Sequence, residues 1–528
     1  MPKSTSQERK THDGQAAPDH VDVLIVGAGI SGIGTACHIS TKQPGRTFLV
    51  VDARDSIGGT WDLFRYPGIR SDSDLHTFGY EFKPWTRKNT IADAHEILDY
   101  LKEAVDEYAL EGRIRLGHRV LSADFSTADG AWTVTLEEIS DGRRFTLTCG
   151  WLFSAAGYYD YAAGHTPTFE GQDDFVGQIV HPQSWPEDLD YSDKKVVVIG
   201  SGATAVTLLP ALAEQAGHVT MLQRSPSYVV SVPRQDPIAN TLTRLLPASL
   251  AYRVTRLMNI TTRRMVYLAS QRYPNLIRKV LRYATARALP DDYAVDTHFN
   301  PQYNPWDQRL CQVPDGDLFK AISDGRASVV TDQITRFRPQ GIQLSSGEEL
   351  EADIIVTATG LQLLPYGGIA LSVDGEEIDL SVLLVYKAFM LSSVPNFAFA
   401  IGYTNSSWTL KVDLVADHLC RLLSYMDRHG HAVVVPVDND STVQRSPLFD
   451  FGAGYVQRTA DLFPLQGSHG PWTMPQSYTA DRKRLRKGPV DDPALRFLDA
   501  TPSASIADVR RPNPETAGTT PPQDVVPA

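Results

Sequence analysis

VDVLIVGAGISGIGTACHI, residues 21–39, is the stretch on which the reading of the whole chain turns. Of its first six residues all but Asp22 are apolar, and most are β-branched, which suits a short buried strand. After them come Gly27, Gly29 and Gly32, and then apolar residues at helical spacing. A strand that turns on glycines into a helix presents backbone N–H groups and the positive helix end to an anion. The missing side chains let a pyrophosphate approach the turn, in which Ser31 also lies. The glycine spacing alone is a weak signal, and its strand–turn–helix setting strengthens it. TFLVVDAR, residues 47–54, supplies the next strand, and Asp52 ends it 20 residues after Gly32, placed to accept hydrogen bonds from ribose hydroxyls.

The plan occurs a second time. KKVVVI leads into Gly200, Ser201, Gly202, Ala203, Thr204, Ala205 and Val206, and the strand that follows ends in Arg224-Ser225 where the first copy has Asp52. An acid there would repel a ribose 2′-phosphate, whereas Arg and Ser can bind one. The first site therefore suits FAD and the second NADPH rather than NADH, a pairing that implies hydride transfer into a flavin. The expected fold class is α/β, with two Rossmann-type dinucleotide-binding domains, one for FAD and one for NADP, and a helical insertion.

Length and composition agree with a multidomain globular protein: 528 residues, 42% apolar and 21% charged. The net charge of −12 argues against nucleic acid as a partner, because no general basic field would collect phosphates. Cys37, Cys149, Cys311 and Cys420 are widely spaced and in no metal-ligand pattern, which fits reduced thiols in the cytoplasm and no metal site. No signal peptide is visible, and no apolar run reaches the ~18 residues of a membrane span. Residues 1–19 and 501–528 read as disordered from their polar, Pro- and Thr-containing composition. Residues 20–170 and 340–500 are assigned to a discontinuous FAD-binding domain, and 171–339 to the NADP-binding domain with a helical insert at about 237–297. ADAHEILDYLKEAVDEYAL (92–110) and LVADHLCRLLSYMD are expected helices; VLSADFS, AWTVTLEEI, RFTLTCGWLFSAAG, SVVTDQITRFR and ADIIVTATG are expected strands. FVGQIVHPQSWP (175–186) reads as neither. The Arg-rich insert is read first as a solvated helical cap over a substrate entrance, and second as a surface for weak peripheral contact with an anionic membrane.

Three stretches carry a family resemblance. GGTWDLFRYPGIRSD, residues 58–72, is similar to the G-G-x-W-x4-[FY]-P-G-x3-D pattern of Baeyer–Villiger monooxygenases. Phe175, Gly177, His181, Trp185 and Pro186 fit F-x-G-x3-H-x3-W-P, the fingerprint of the type I group. Ala358-Thr359-Gly360 resembles the point where the chain returns to the flavin domain. The chain thus resembles the class B flavoprotein monooxygenases over residues 22 to about 490. YNPWDQRLCQVPDGDLFKAI and FAIGYTNSSWTLK look most like the ethionamide-activating group.

That resemblance implies an FAD-dependent, NADPH-consuming enzyme that inserts one oxygen from O2 beside a ketone carbonyl through a C4a-peroxyflavin, giving an ester or lactone. It implies that Arg309 is the fixed cation that stabilises developing negative oxygen, with Asp72 orienting it. It places Thr60, Trp61, Asp62 and Leu63 on the flavin, Arg70, Ser71 and Asp72 near NADPH, and Val120 at the adenine. Some relatives have Lys before the catalytic Arg, where this chain has Gln308, so 2′-phosphate recognition falls more on Arg224 and Ser225. His181 is read as a residue of domain coupling together with Phe175, Gly177 and Trp185, rather than as a general base. The second function is oxygenation of nitrogen or of sulfur in thioethers and thioamides; a third is cofactor binding without turnover.

Overall fold

The structure, a computed structural model, describes residues 19–308, 310–449 and 454–499. Its strands form two main sheets. In the first, His20–Val26, Phe48–Val51 and Ile114–Arg115 lie side by side in parallel. On the other flank of His20–Val26 runs the eleven-residue strand Arg144–Ser154. Its C-terminal half is parallel to His20–Val26, and its N-terminal half closes an antiparallel meander with Ala131–Glu138 and His118–Ser126. Phe397–Phe399 joins its end in parallel. The opening strand is apolar on both faces because both are covered. Val23 and Ile25 join the core under helices Ile30–Lys42 and Thr409–His429, whereas Leu24 and Val26 join the core of the meander side.

The second sheet is all parallel, in the order Ala327–Thr331, His218–Gln223, Lys195–Ile199, Ile354–Thr357, Gln178–Val180. The two Rossmann-type units are therefore both present. Three expectations are corrected. Residues 175–186 contain the edge strand Gln178–Val180, brought beside Ile354–Thr357 because residue 177 is glycine: a Cβ there would lie 2.2 Å from the Asp353 carbonyl oxygen. The chain also returns to the first sheet after Thr357 rather than at 340, because Ile354–Thr357 fills the place between Lys195–Ile199 and that edge. SVVTDQITRFR breaks at Asp332-Gln333: Ala327–Thr331 stays in the parallel sheet, and Ile334–Arg338 starts a three-stranded antiparallel one.

The chain crosses between the sheets twice, and the crossings pair with each other as an antiparallel ribbon of Tyr159–Gly164 and Leu361–Leu363. A third connection is non-covalent. Helices Pro237–Leu245, Ala248–Arg272 and Pro274–Arg287 are inserted in the chain of the second sheet, yet the 25-residue middle one packs beside the first. Its Arg256 is buried, donating from Nη1 to the carbonyls of His76 (2.8 Å) and Gly79 (2.7 Å), and facing Asp413 at 3.3 Å. Asp413, on helix Thr409–His429, also accepts from His38 at 3.3 Å and from the Glu81 amide at 2.7 Å. Among the described residues no helix is long and apolar enough to cross a membrane.

Removing one partner of a buried pair strands the other, which costs more than the pair contributes. Asp413→Ala is expected to destabilise the protein by about 3–5 kcal/mol, read from urea unfolding followed by tryptophan fluorescence. An unchanged midpoint would mean that water reaches Arg256.

Candidate functional site

Each glycine turn is built by close approach. Gly27 has φ 109° and a Cβ on it would lie 2.6 Å from the Ala155 carbonyl oxygen; Gly200 has φ 137° and would meet the Ala358 carbonyl oxygen at 2.4 Å. Ala155 and Ala358 each follow the strand that neighbours the turn, so the two copies share one packing solution. In the first copy Gly32 is required as well, since its Cβ would lie 1.8 Å from the Gly27 carbonyl oxygen. Gly29 and Gly202 start helices Ile30–Lys42 and Ala203–Leu212 with no side chain capping either, which leaves the first-turn N–H groups for an anion.

The groups that distinguish the two sites sit one residue past equivalent strands. Asp52 accepts hydrogen bonds from the amides of Ala28 at 2.7 Å and Arg54 at 2.9 Å, and burial pushes its carboxyl upward. Arg224 and Ser225 are exposed at the other turn, and Arg224 has no ion-pair partner among the described residues. Ser201 bonds across that turn, its Oγ lying 3.0 Å from Ser227 Oγ and donating to the Ser225 carbonyl at 3.1 Å. A half-buried acceptor fits a ribose, and an exposed cation with hydroxyls fits a 2′-phosphate.

Residues 58–72 run from one site to the other. Gly59 lies so close to Gly29 that its Cβ would be 3.1 Å from the Gly29 Cα. Helix Thr60–Leu63 follows; Thr60 Oγ1 is 3.3 Å from Tyr161 OH and Trp61 packs edge-on against Phe78 at 5.6 Å. Phe64 and Tyr66 then enter the core of the second sheet, and Gly68 sits against Ala211 of helix Ala203–Leu212. Arg70 is held by Asp317, with Nη2 donating at 3.3 Å.

Both turns open into one cavity of about 1360 Å³. Its wall includes Gly27, Gly29, Ser31, Asp52, Thr60, Trp61, Arg70, Ser71, Asp72 and Val120. From the second copy it includes Gly200, Ser201, Gly202, Ala203, Thr204, Val206, Arg224 and Ser225. Val120 lies where the meander's register slips between Val120 and Ser122. Gly32 and Ala205 are buried behind the wall. Asp62 and Leu63 lie off it: Asp62 is drawn to Arg54 (Nε at 3.2 Å) and Ser56 (2.5 Å), and Leu63 packs on the second core. Arg309 is outside the described residues; Gln308 and Cys311 on either side of it line the cavity.

The fingerprint residues are also away from the wall. Phe175 packs against Phe337, with ring centroids at 6.4 Å, and Trp185 packs on the second core. His181 Nε2 donates to the Gly360 carbonyl at 3.3 Å while Nδ1 accepts from the Gln183 amide at 3.2 Å. Its ring fills the space over Gly164, where a Cβ would be 1.9 Å from it. Burial pulls its pKa down, so the ring stays neutral with the proton on Nε2. It therefore touches both crossings, at Gly164 in one and at Gly360, just before Leu361–Leu363, in the other.

Sequence reasoning missed an aromatic part of the wall. Trp408 stacks on Tyr158 at 5.1 Å and donates from Nε1 to Ser31 Oγ at 2.8 Å, which ties the far C-terminal helix to the first turn. Tyr159, Tyr403 and Phe449 line the same cavity. GYYDY at 157–161 was the available signal, an aromatic run directly after a strand.

A family profile described as pyridine nucleotide-disulphide oxidoreductase matches residues 24–240. The FAD-containing monooxygenase EthA of Mycobacterium tuberculosis is 52% identical over 480 residues, covering 91% of this chain and 98% of that protein. The chain belongs to the class B flavoprotein monooxygenases. EthA of Mycolicibacterium smegmatis is 50% identical over 480 residues, covering 91% of this chain and 97% of that protein. In fold, an oxidised steroid monooxygenase bound to NADP superposes with a TM-score of 0.72 at 22% identity, over 91% of this chain and 100% of that one. The chain is thus a flavin-dependent monooxygenase, of a class whose cofactors are FAD and NADPH, and the two turns fit those groups.

Because no side chain fits at Gly32, Gly32→Ala should displace the first turn of helix Ile30–Lys42 and yield protein without flavin. Flavin absorbance per mole of purified protein measures this, and wild-type occupancy would show that the turn is not the flavin site.

Proposed function

We propose that the protein is an NADPH-dependent Baeyer–Villiger monooxygenase that converts ketones to esters or lactones, with FAD in the first turn and NADPH in the second. The observation that carries this reading is that both turns, Asp72, Gln308 and Cys311 line one cavity. When bound, the two cofactors would supply the reducing equivalents and the activation of O2, one atom of which enters the product while the other leaves as water. The chain's own residues supply the surroundings. Arg309 is the fixed cation; its guanidinium stays charged at every working pH and stabilises negative charge as it develops on oxygen. Asp72 orients it. The aromatic wall of Tyr158, Tyr159, Trp408 and Phe449 receives an apolar ketone and keeps water away.

We assign residues 20–170 and 358–500 to FAD binding and 171–357 to NADPH binding, with coupling between them through Phe175, Gly177, His181 and Trp185. Hydride delivery and oxygen transfer need different arrangements at one flavin, so a neutral His181 on the crossing ribbon is well placed to position the second sheet. The buried thiols suit a reducing cytoplasm.

The 52% identity to EthA supports a second reading, oxygen transfer to sulfur in thioamides or thioethers. A product screen with NADPH on linear, cyclic and aryl ketones and one thioether separates the two. Ester or lactone as the main product supports the first reading, and sulfoxide with no ester overturns it.

Arg309→Ala should leave NADPH-driven flavin reduction intact and lower ketone oxygenation by roughly 10²–10³, the scale of losing one oxyanion donor; an unchanged lactone yield removes Arg309 from the chemistry. Arg224→Gln should raise KM for NADPH and leave KM for NADH in place. Equal change for both nucleotides would mean that Arg224 does not read the 2′-phosphate.

A further inference from the structure

Charge and apolar exposure are concentrated in one place. Residues 237–290 contain nine arginines, one lysine and no aspartate or glutamate, within a chain of net charge −12. The same segment holds twelve of the sixteen large apolar side chains exposed among the described residues. On helix Ala248–Arg272 the buried side carries Tyr252, Arg256 and Ile260, spaced four residues apart, and Ser270 further along. The opposite side carries Leu250, Val254 and Leu257 and, two turns on along the same face, Met265 and Leu268; Leu257 is 65% exposed. Helix Pro274–Arg287 repeats this with Leu276, Val280 and Tyr283. A solvated helix buries its apolar stripe; helix Ala248–Arg272 buries Arg256 and both helices present an apolar stripe outward.

The cations beside the stripe are not used within the fold. Arg244, Arg253, Arg272 and Lys279 are exposed, with no ion-pair partner among the described residues. Arg272 lies over the ring of Tyr273 at 5.2 Å, an aromatic–basic pair of the sort found at membrane interfaces.

We propose that this surface binds an anionic lipid bilayer, with the helices lying in the membrane plane, the stripe at the boundary of headgroups and acyl chains, and the cations on headgroup phosphates. The chemistry favours lipid over the alternatives. A nucleic acid would meet the cations but leave Leu257, Met265 and Leu268 in water. A second copy docked face to face would set two arginine-rich surfaces against each other. The inference does not depend on which substrate the cavity oxidises.

The test is sedimentation of the full-length, flavin-loaded protein with phosphatidylcholine vesicles, plain or doped with phosphatidylglycerol. Binding is expected to the doped vesicles, to weaken with salt, and to be lost in the double variant Leu257→Glu/Leu268→Glu. Arg253→Gln and Lys279→Gln should each weaken it by about fivefold, the worth of one basic residue at an anionic surface. Flavin content and NADPH oxidation in vesicle-free buffer should match wild type in all variants, which shows that they are folded. No binding to doped vesicles, or equal binding by the glutamate variant, overturns the proposal. So does a concentration-dependent dimer in light scattering that Leu257→Glu abolishes, since the stripe would then be a protein interface.

Discussion

At Gly27 and Gly200 the backbone of a turn lies so close to a carbonyl oxygen, that of Ala155 or Ala358, that no side chain fits between them. Both alanines directly follow the strand next to the turn, and both begin a crossing to the other sheet. The contact that makes room for a dinucleotide is therefore also where the chain departs. It follows that the two crossings leave from the floors of the two sites and run together as the ribbon Tyr159–Gly164 with Leu361–Leu363. Two nucleotide turns built in this way face one space, as a hydride transfer between their ligands requires.

The separation of the sites is set by side chains as well as by the peptide. Residues 58–72 start against Gly29, place Trp61 on the first core, and then place Phe64, Tyr66 and Gly68 on the second. Tyr66 is buried deeply enough that its hydroxyl is pushed up despite a hydrogen bond with Thr204 at the second turn. A stretch with its two halves in two cores transmits any shift of one sheet to Arg70, Ser71 and Asp72 on the cavity wall.

What could be read in the sequence was what is local. The strand–glycine–helix units, Asp52 and Arg224 follow from spacing within some 30 residues, and the periodicity of residues 92–110 marks the helix Ala94–Glu107 with its Asp93–Glu96 capping box. What escaped depends on distant partners. Gln178–Val180 is three residues long, and its partner strand begins at Ile354. Trp408 bonds to Ser31, 377 residues earlier in the chain. Asp62 sits in a turn that approaches the first site, yet Arg54 and Ser56 draw its carboxylate away from the wall. Arg256 was the hardest to foresee, because an arginine among nine on helical segments reads as solvated until the carbonyls of His76 and Gly79 are seen around it.

That arginine also constrains how the halves can move. Its helix belongs in sequence to the second sheet and in packing to the first, where its guanidinium meets Asp413 and backbone carbonyls. Withdrawing it would leave a buried carboxylate and a cation unpaired, at a cost of several kcal/mol, more than a turnover step can spend on a rearrangement. A displacement of the second sheet must then be taken up at the ends of the insert, between Val232 and Pro237 and after Arg287, and along the ribbon that His181 contacts. The helix Ala248–Arg272 is thereby fixed to the half that carries the first turn. Its outward stripe of leucines and methionine belongs to that half, so a surface held there would hold the half with the first turn and leave the half with the second turn free to move.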